Sequence, residues 1–534
     1  MSMFDRFSAL IECSTGRTPT VAALKTMISQ LAAFGYRELY LGLTDAYKIE
    51  GEPYFNYKRG GYSTADLNEL DAFAKEHGIE LIANIQTLGH LHYLQRHESY
   101  RDLMDNDNIL MVGDERVYAL VDKMFAAISA GLSTRKIHIG FDECWGLGLG
   151  NYLKKFGPAD KKELLLRHLK RVVEISRKYG FVTQIWHDML IETDNTRVTP
   201  EEVRAALPED VTVWFWDYFE KDEQKLNDKL DQFLRHAEKT GYAGSAIKCG
   251  SMAPMNTFSM ARLVPQMRAA KAKKMNAFMV TLWSDNGAWV ENASVLPTLY
   301  AAAELNNGTW DGVGPLNKER FRAITGCDYD DLLLLDALDD PFDRRMTDSH
   351  GNRSYWLMLT DLLNGGWDLL LNEKTGEAYE NLADRFAAIV RSGRNEPMNP
   401  LFLEAEKLAR VLAIKAGLGI RIRSSYKNKD NGALNHCFGK LQDLQMALKE
   451  YQNVHNETWL KSSMPFGLEV DQLFLGGQMA RIAYIETRLR AFLEDGTPIT
   501  ELDDETKLPD LPSGTTEDNF WNSDWRVLFT NCGT

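Results

Sequence analysis

No CxxC pair occurs in this chain. Its six cysteines, Cys13, Cys144, Cys249, Cys327, Cys437 and Cys532, are scattered. In a long chain that spacing argues against a zinc site or a disulfide framework and for reduced thiols, so the expected setting is cytoplasmic. No run of about 20 apolar residues is present, which excludes a helix spanning a bilayer. An excess of positive charge is also lacking: 61 Lys and Arg face 76 Asp and Glu, a net charge of -15. Neither nucleic acid nor an anionic membrane is therefore expected as a partner. The start, Met1-Ser2-Met3-Phe4-Asp5-Arg6, enters an apolar segment too short and too acidic in its flank for a secretory signal. Internal repeats and long low-complexity tracts are absent as well.

What is present fits a soluble globular enzyme. The 534 residues, 44% hydrophobic and 26% charged, exceed one ordinary domain and suggest a large barrel followed by a second domain. Up to residue 310, short apolar runs alternate with amphipathic helical patterns. Candidate strands are Phe7–Cys13, Glu38–Leu43, Glu80–Gln86, Lys136–Asp142, Val182–Asp188, Val211–Tyr218, Gly244–Gly250 and Ala277–Asp285. Candidate helices between them include Thr20–Phe34, Thr64–His77, Glu115–Ala130, Lys161–Tyr179, Asp222–Thr240, Ser259–Lys274 and Val295–Leu305. Eight strand-then-helix units in this length predict an α/β fold, a (β/α)8 TIM barrel over residues 1–310. After the linker-like Gly308–Pro315, helical patterns dominate: Tyr355–Leu363, Gly376–Ile389, Pro400–Leu418, Ala433–Val454 and Val470–Phe492. Residues 311–534 are expected to form an α-helical domain that covers barrel surface or makes a homodimer contact. The tail from Asp495 reads as irregular until Phe520, Trp521 and Trp525 dock.

In such a barrel the chemistry sits at the carboxyl ends of the strands, and polar and aromatic residues collect there. The ends offer Thr44-Asp45, Gln86 through His90, Asp142-Glu143, Trp186-His187-Asp188, Trp214 through Tyr218, Lys248 and Trp283-Ser284-Asp285. The organising stretch is Lys136-Ile137-His138-Ile139-Gly140-Phe141-Asp142-Glu143. Its first seven residues read as a buried strand with Glu143 just beyond. Adjacent carboxylates are costly in a core but useful in a cleft, where crowding and partial desolvation hold one ionised and the other protonated. Trp186, Trp216 and Trp283 each fall where a different strand ends, and indole faces stack on the apolar side of a pyranose. Trp186 alternates with Gln184 and Asp188, and Trp283 with Thr281 and Asp285; a face carrying carboxylates is not a helix-packing face. The bland alternative makes all three core residues.

His138-Ile-Gly-Phe-Asp142-Glu143 resembles the HxGxDE signature of family 20 glycoside hydrolases, the β-N-acetylhexosaminidases. The resemblance extends along the barrel, through Leu43-Thr44-Asp45, Gly89-His90, Trp186-x-Asp188 and Trp283-Ser284-Asp285. Glu52-Pro53-Tyr54-Phe55-x-Tyr57-x-Arg59-Gly60, with Trp216-Asp217-Tyr218, is similar to the intracellular branch that carries a helical carboxyl-terminal domain. The resemblance implies exo-acting, retaining hydrolysis of a β-linked N-acetylhexosamine glycoside or oligosaccharide, with no cofactor. The substrate's own amide oxygen is the nucleophile and an oxazolinium forms, an exception to the two-carboxylate scheme. It further implies that Glu143 is general acid and base, that Asp142 orients the acetamido N–H, and that Tyr218 holds the amide oxygen. Asp45 and His90 would form a pair behind Glu143 that keeps it protonated, with His138 in the same supporting shell. Asp285 would accept the sugar's outer hydroxyls; Asp188 would do likewise or orient Trp186. The family's arginine after strand one is replaced in register by Thr15, leaving Arg17, with Glu12 nearby, to bind outer hydroxyls. Strand seven also lacks the family's Tyr-x-Asp.

Two other readings stay open. His90-Leu91-His92, His138, His187 and Asp188 could build a metal-dependent hydrolase or sugar isomerase, although Glu143 would then have no role. A non-catalytic glycan-binding barrel would require a lost acid, and both carboxylates are present.

Overall fold

Alternating buried strands and capped helices close into an eight-stranded parallel barrel in the computed structural model. The structure describes residues 2–191, 198–342, 344, 347–348, 351–372, 374–504, 513–516 and 521. The strands are β1 Arg6–Glu12, β2 Glu38–Thr44, β3 Glu80–Ile85, β4 Lys136–His138, β5 Val182–Trp186, β6 Thr212–Trp216, β7 Thr240–Ser245 and β8 Ala277–Leu282. They follow sequence order round the barrel, and pairing of β1 with β8 closes it. Side-chain oxygens fix the starts of the returning helices: Thr20, Asp114, Asp160 and Asp222 cap theirs, and Ser63 and Thr199 form capping boxes with Asp66 and Glu202. The interior is a packed layer of Leu10, Tyr40, Ile82, Trp186, Trp214, Ala243, Ala277 and Met279. Tyr40 Oη and Trp214 Nε1 both donate to Gln184 Oε1, at 2.9 and 2.6 Å, so these two buried donors of the layer are satisfied.

Several strands end short of expectation, β6 at Trp216 and β8 at Leu282 among them, and three differ for a local reason. Only Lys136–His138 of the expected Lys136–Asp142 is strand, because the backbone turns left-handed at Gly140 (φ +77°), Phe141 (φ +76°) and Glu143 (φ +52°). At β5 the extended run ends at Trp186, and Asp188–Ile191 is already helical. β7 begins at Thr240, four residues before the expected Gly244, within a segment expected to close a helix. Gly241 and Gly244 obscure its strand character, yet a Cβ on Gly241 would fall on the Trp214 indole, so the large interior ring requires the missing side chain.

By compactness the chain divides into two units, residues 1–246, 259–283 and 299–316 in the first and 247–258, 284–298 and 317–534 in the second. The segments that follow β7 and β8 therefore group with the helical region, beyond the expected border at residue 310. Their bonds within the second unit account for this: Ser251 Oγ donates to Asp339 Oδ2 at 2.6 Å, and Asn352 Nδ2 donates to Gly250 O at 2.7 Å. The principal helices of this unit are Thr375–Ser392, Asn399–Lys415, Asn431–Ser462 and Leu468–Asp495. Trp521 packs against Ile247, Met255 and Phe258, while Phe520 and Trp525 lie outside the described residues. Among the described residues no helix is long and apolar enough to cross a membrane.

One buried ion cluster ties three helices of the second unit. His455 Nδ1 meets Glu404 Oε1 at 2.6 Å and Nε2 meets Asp471 Oδ2 at 3.0 Å. Burial disfavours the ring's charge, but the two carboxylates outweigh it and raise its pKa to about 9. A group whose pKa is raised on folding adds stability that is complete below its unfolded value of about 6.5 and fades as pH climbs through about 9. His455→Gln strands two buried carboxylates and should cost about 3 kcal/mol or more at neutral pH. Urea unfolding of the full chain at several pH values checks both effects: the wild type should weaken toward pH 9, and the variant should show a smaller decline over the same range.

Candidate active site

The turn after β4 places Asp142 and Glu143 on divergent paths. Left-handed backbone at a non-glycine residue costs roughly 1 kcal/mol, and here it recurs at Thr44, His90, Phe141 and Glu143, all at or just past the carboxyl ends of β2, β3 and β4. The Asp142 side chain is 16% exposed and that of Glu143 is 46% exposed, so one acid is recessed and its neighbour stands in the mouth.

His90 faces both. Its Nε2 lies 3.2 Å from Asp142 Oδ2 and 3.7 Å from Glu143 Oε2. Asp142 raises the ring's pKa to about 9 against the opposing effect of burial. Burial would raise the Asp142 carboxyl, but His90 and a hydrogen bond from Gln86 Nε2 (3.1 Å) hold it below its usual value. The site therefore carries an imidazolium and an Asp142 carboxylate at neutral pH. A positive ring 3.7 Å from Glu143 stabilises a carboxylate in preference to an acid, so His90 does not act as the expected device for keeping Glu143 protonated. The expected Asp45–His90 pair is also replaced. Asp45, fully buried, pairs with Arg59, which donates in turn to the Ser14 carbonyl and lies 3.1 Å over the Tyr93 ring. Arg59 had no assigned role in the sequence reading; its signal was the Tyr-x-Arg-Gly run after β2. Gly140 makes room for Gln86, since a Cβ there would collide with the Gln86 side-chain oxygen.

The aromatic residues divide between core and wall. Trp186 is 1% exposed and belongs to the barrel interior, where it meets His138 (centroids 4.3 Å apart) and the edge of Trp283 (6.0 Å). An indole buried to that extent has no face for a pyranose, which corrects its expected stacking role and leaves the wall to Trp216 and Trp283, both partly buried against that core. His138 is buried and neutral, its pKa lowered by desolvation to about 3, and its Nδ1 accepts from Gly140 N–H at 3.2 Å. Tyr218 stacks on Trp216 (5.5 Å, 22°), and its hydroxyl accepts from Trp283 Nε1 at 2.9 Å. A phenol that accepts there directs its own proton elsewhere.

Asp188 neither faces outward nor touches the Trp186 N–H. It is buried; Oδ2 accepts from Glu143 N–H at 2.9 Å and Oδ1 from Trp216 Nε1 at 3.2 Å. Glu12 is buried and accepts from Ser14 N–H at 3.1 Å; Arg17 is buried nearby in sequence. Asp285 is exposed, in the segment 284–298 of the second unit. Among the described residues no group of three or more His, Cys, Asp or Glu side chains is arranged to hold a metal. His187 Nδ1 accepts from Trp216 N–H at 3.4 Å.

Residues 19–312 match the catalytic domain of glycosyl hydrolase family 20, and residues 330–520 match the Glycoside Hydrolase 20C C-terminal domain. The chain belongs to glycosyl hydrolase family 20. Among curated relatives, Hexosaminidase D of Bos taurus is 26% identical over 212 residues, 38% of this chain and 60% of that protein. Hexosaminidase D of Homo sapiens is 25% identical over 214 residues, 38% of this chain and 43% of that one. The match thus spans less than two thirds of either relative. Among solved structures, a β-N-acetylhexosaminidase from Bacteroides fragilis is 17% identical, with a TM-score of 0.46, covering 64% of this chain and 71% of that chain.

In this family 20 chain the His90 imidazolium adds stability that is complete below about pH 6.5 and fades as pH rises through about 9. His90→Gln should reduce the alkaline dependence to the part that His455 contributes, and thermal midpoints recorded from pH 6 to pH 10 for both proteins check it.

Proposed function

We propose that the chain is an exo-acting, retaining β-N-acetylhexosaminidase that uses the substrate's own acetamido group as nucleophile, in a cytoplasmic setting. The observation that carries this reading is the pairing of a recessed, ionised Asp142 with an outward Glu143 on one left-handed turn. A carboxylate held ionised beside an imidazolium suits a charge-stabilising task, whereas an exposed neighbour suits proton transfer. The named Hexosaminidase D relatives and the family match lend support.

In the first step Glu143 gives its proton to the departing glycosidic oxygen while the acetamido oxygen attacks the anomeric carbon. Asp142 accepts the acetamido N–H and offsets the positive charge that grows on it as the oxazolinium forms. Tyr218 donates to the acetamido oxygen and sets its angle of attack, its hydroxyl being aligned by the Trp283 indole. Trp216 and Trp283 receive the apolar face of the sugar. In the second step Glu143 takes a proton from water, water opens the oxazolinium, and two inversions return the β-anomer. Arg17 and Glu12 are the candidates for the outer hydroxyls.

Glu143→Gln should lower kcat/KM by about 10²- to 10⁴-fold on natural leaving groups and far less on dinitrophenolate. Asp142→Asn should lose about 10²- to 10³-fold on every leaving group. A thiazoline mimic of the cyclised intermediate should inhibit competitively. Steady-state kinetics on paired GlcNAc, GalNAc and plain glucoside substrates test the proposal, and wild-type-like turnover in either variant would end it.

A further inference from the structure

We infer that Asp188 is a positioning residue for the general acid: it anchors the Glu143 backbone in its left-handed conformation and registers that turn to the Trp216 wall. The inference rests on the reading of Glu143 as the acid. Both Asp188 oxygens are engaged by protein donors, Oδ2 by Glu143 N–H at 2.9 Å and Oδ1 by Trp216 Nε1 at 3.2 Å. With 1% of the residue exposed, no surface remains for a sugar hydroxyl. Asp188 stands two residues past the end of β5 and opens the helical turn Asp188–Ile191, so the anchor is placed by the carboxyl end of a barrel strand.

The arrangement solves a particular problem. Glu143 leaves β4 through two consecutive left-handed residues, Gly140 and Phe141, and is left-handed itself at φ +52°. The bonds between β4 and β5 run on as far as Gly140, whose carbonyl accepts from Trp186 N–H at 3.1 Å, three residues before Glu143. The Asp188 carboxylate supplies an acceptor to the Glu143 amide from the neighbouring strand end. Its second oxygen accepts from the Trp216 indole N–H at 3.2 Å, which fixes the carboxylate itself between the turn and that side chain. A single carboxylate is suited to this because it accepts on both oxygens, whereas an amide presents one acceptor and one N–H₂ donor. In Asp188→Asn one of the two donors, the Glu143 amide or the Trp216 indole, must face another donor.

The test is the leaving-group dependence of Asp188→Asn in the full chain. For a β-linked GlcNAc disaccharide, which needs acid assistance, kcat should fall about 30-fold or more with KM nearly unchanged, the size of effect a misplaced catalytic group produces. For the 2,4-dinitrophenyl 2-acetamido-glycoside, which needs none, the loss should stay within about 3-fold, and thiazoline inhibition should stay within about 3-fold as well. Equal losses on both substrates, a raised KM with unchanged kcat, or no loss at all would each overturn the assignment. If the asparagine variant does not fold, Asp188→Glu, which keeps both acceptors but moves them by one methylene, should show the same leaving-group signature at smaller amplitude, and equal losses there overturn it too. Failure of the underlying reading is separate: it would appear as a wild type without turnover or as Glu143→Gln without leaving-group dependence.

Discussion

His90 lies 3.2 Å from one carboxylate and 3.7 Å from the next, and a neutral ring there would leave adjacent acids to repel each other in a partly desolvated turn. The rest of the mouth depends on this contact. With the ring charged, Asp142 can be both recessed and ionised, which burial alone forbids. With Asp142 recessed, its neighbour can emerge on the far side of a left-handed turn. The turn in turn needs an acceptor for its amide, and Asp188 supplies one. Charge, backbone and indole positions are in this way one chain of consequences instead of separate features.

The barrel was legible because its signal is repeated eight times. Buried apolar runs separated by capped amphipathic helices admit few alternatives, and small boundary errors do not disturb the count. The clustering of polar residues at strand ends was legible for the same reason, since a parallel barrel forces all carboxyl ends to one rim. The glycine-rich β7 was less so. Its identity as strand depends on Trp214, a partner 27 residues earlier than Gly241, and pattern within one segment cannot reveal a requirement set by another.

Side-chain partnerships were the least legible part. Asp45 was matched with His90 because both stand at neighbouring strand ends, but Arg59 reaches back across its own loop to claim Asp45. Trp186 was placed in the wall because it alternates with polar residues; its neighbours Gln184 and Asp188 turned out to be polar groups satisfied inside the protein, so alternation did not mean exposure. Periodicity reports which face a residue is on. It does not report whether that face is wet.

The glycine at position 140 has a wider meaning than conformational ease. Its missing side chain is occupied by the amide of Gln86, the same amide that donates to Asp142. Two positions 54 residues apart are therefore sterically coupled: enlarging one evicts the other from its post. A side chain at position 140 would thus cost the Asp142 carboxylate its amide donor as well as straining the turn that carries it.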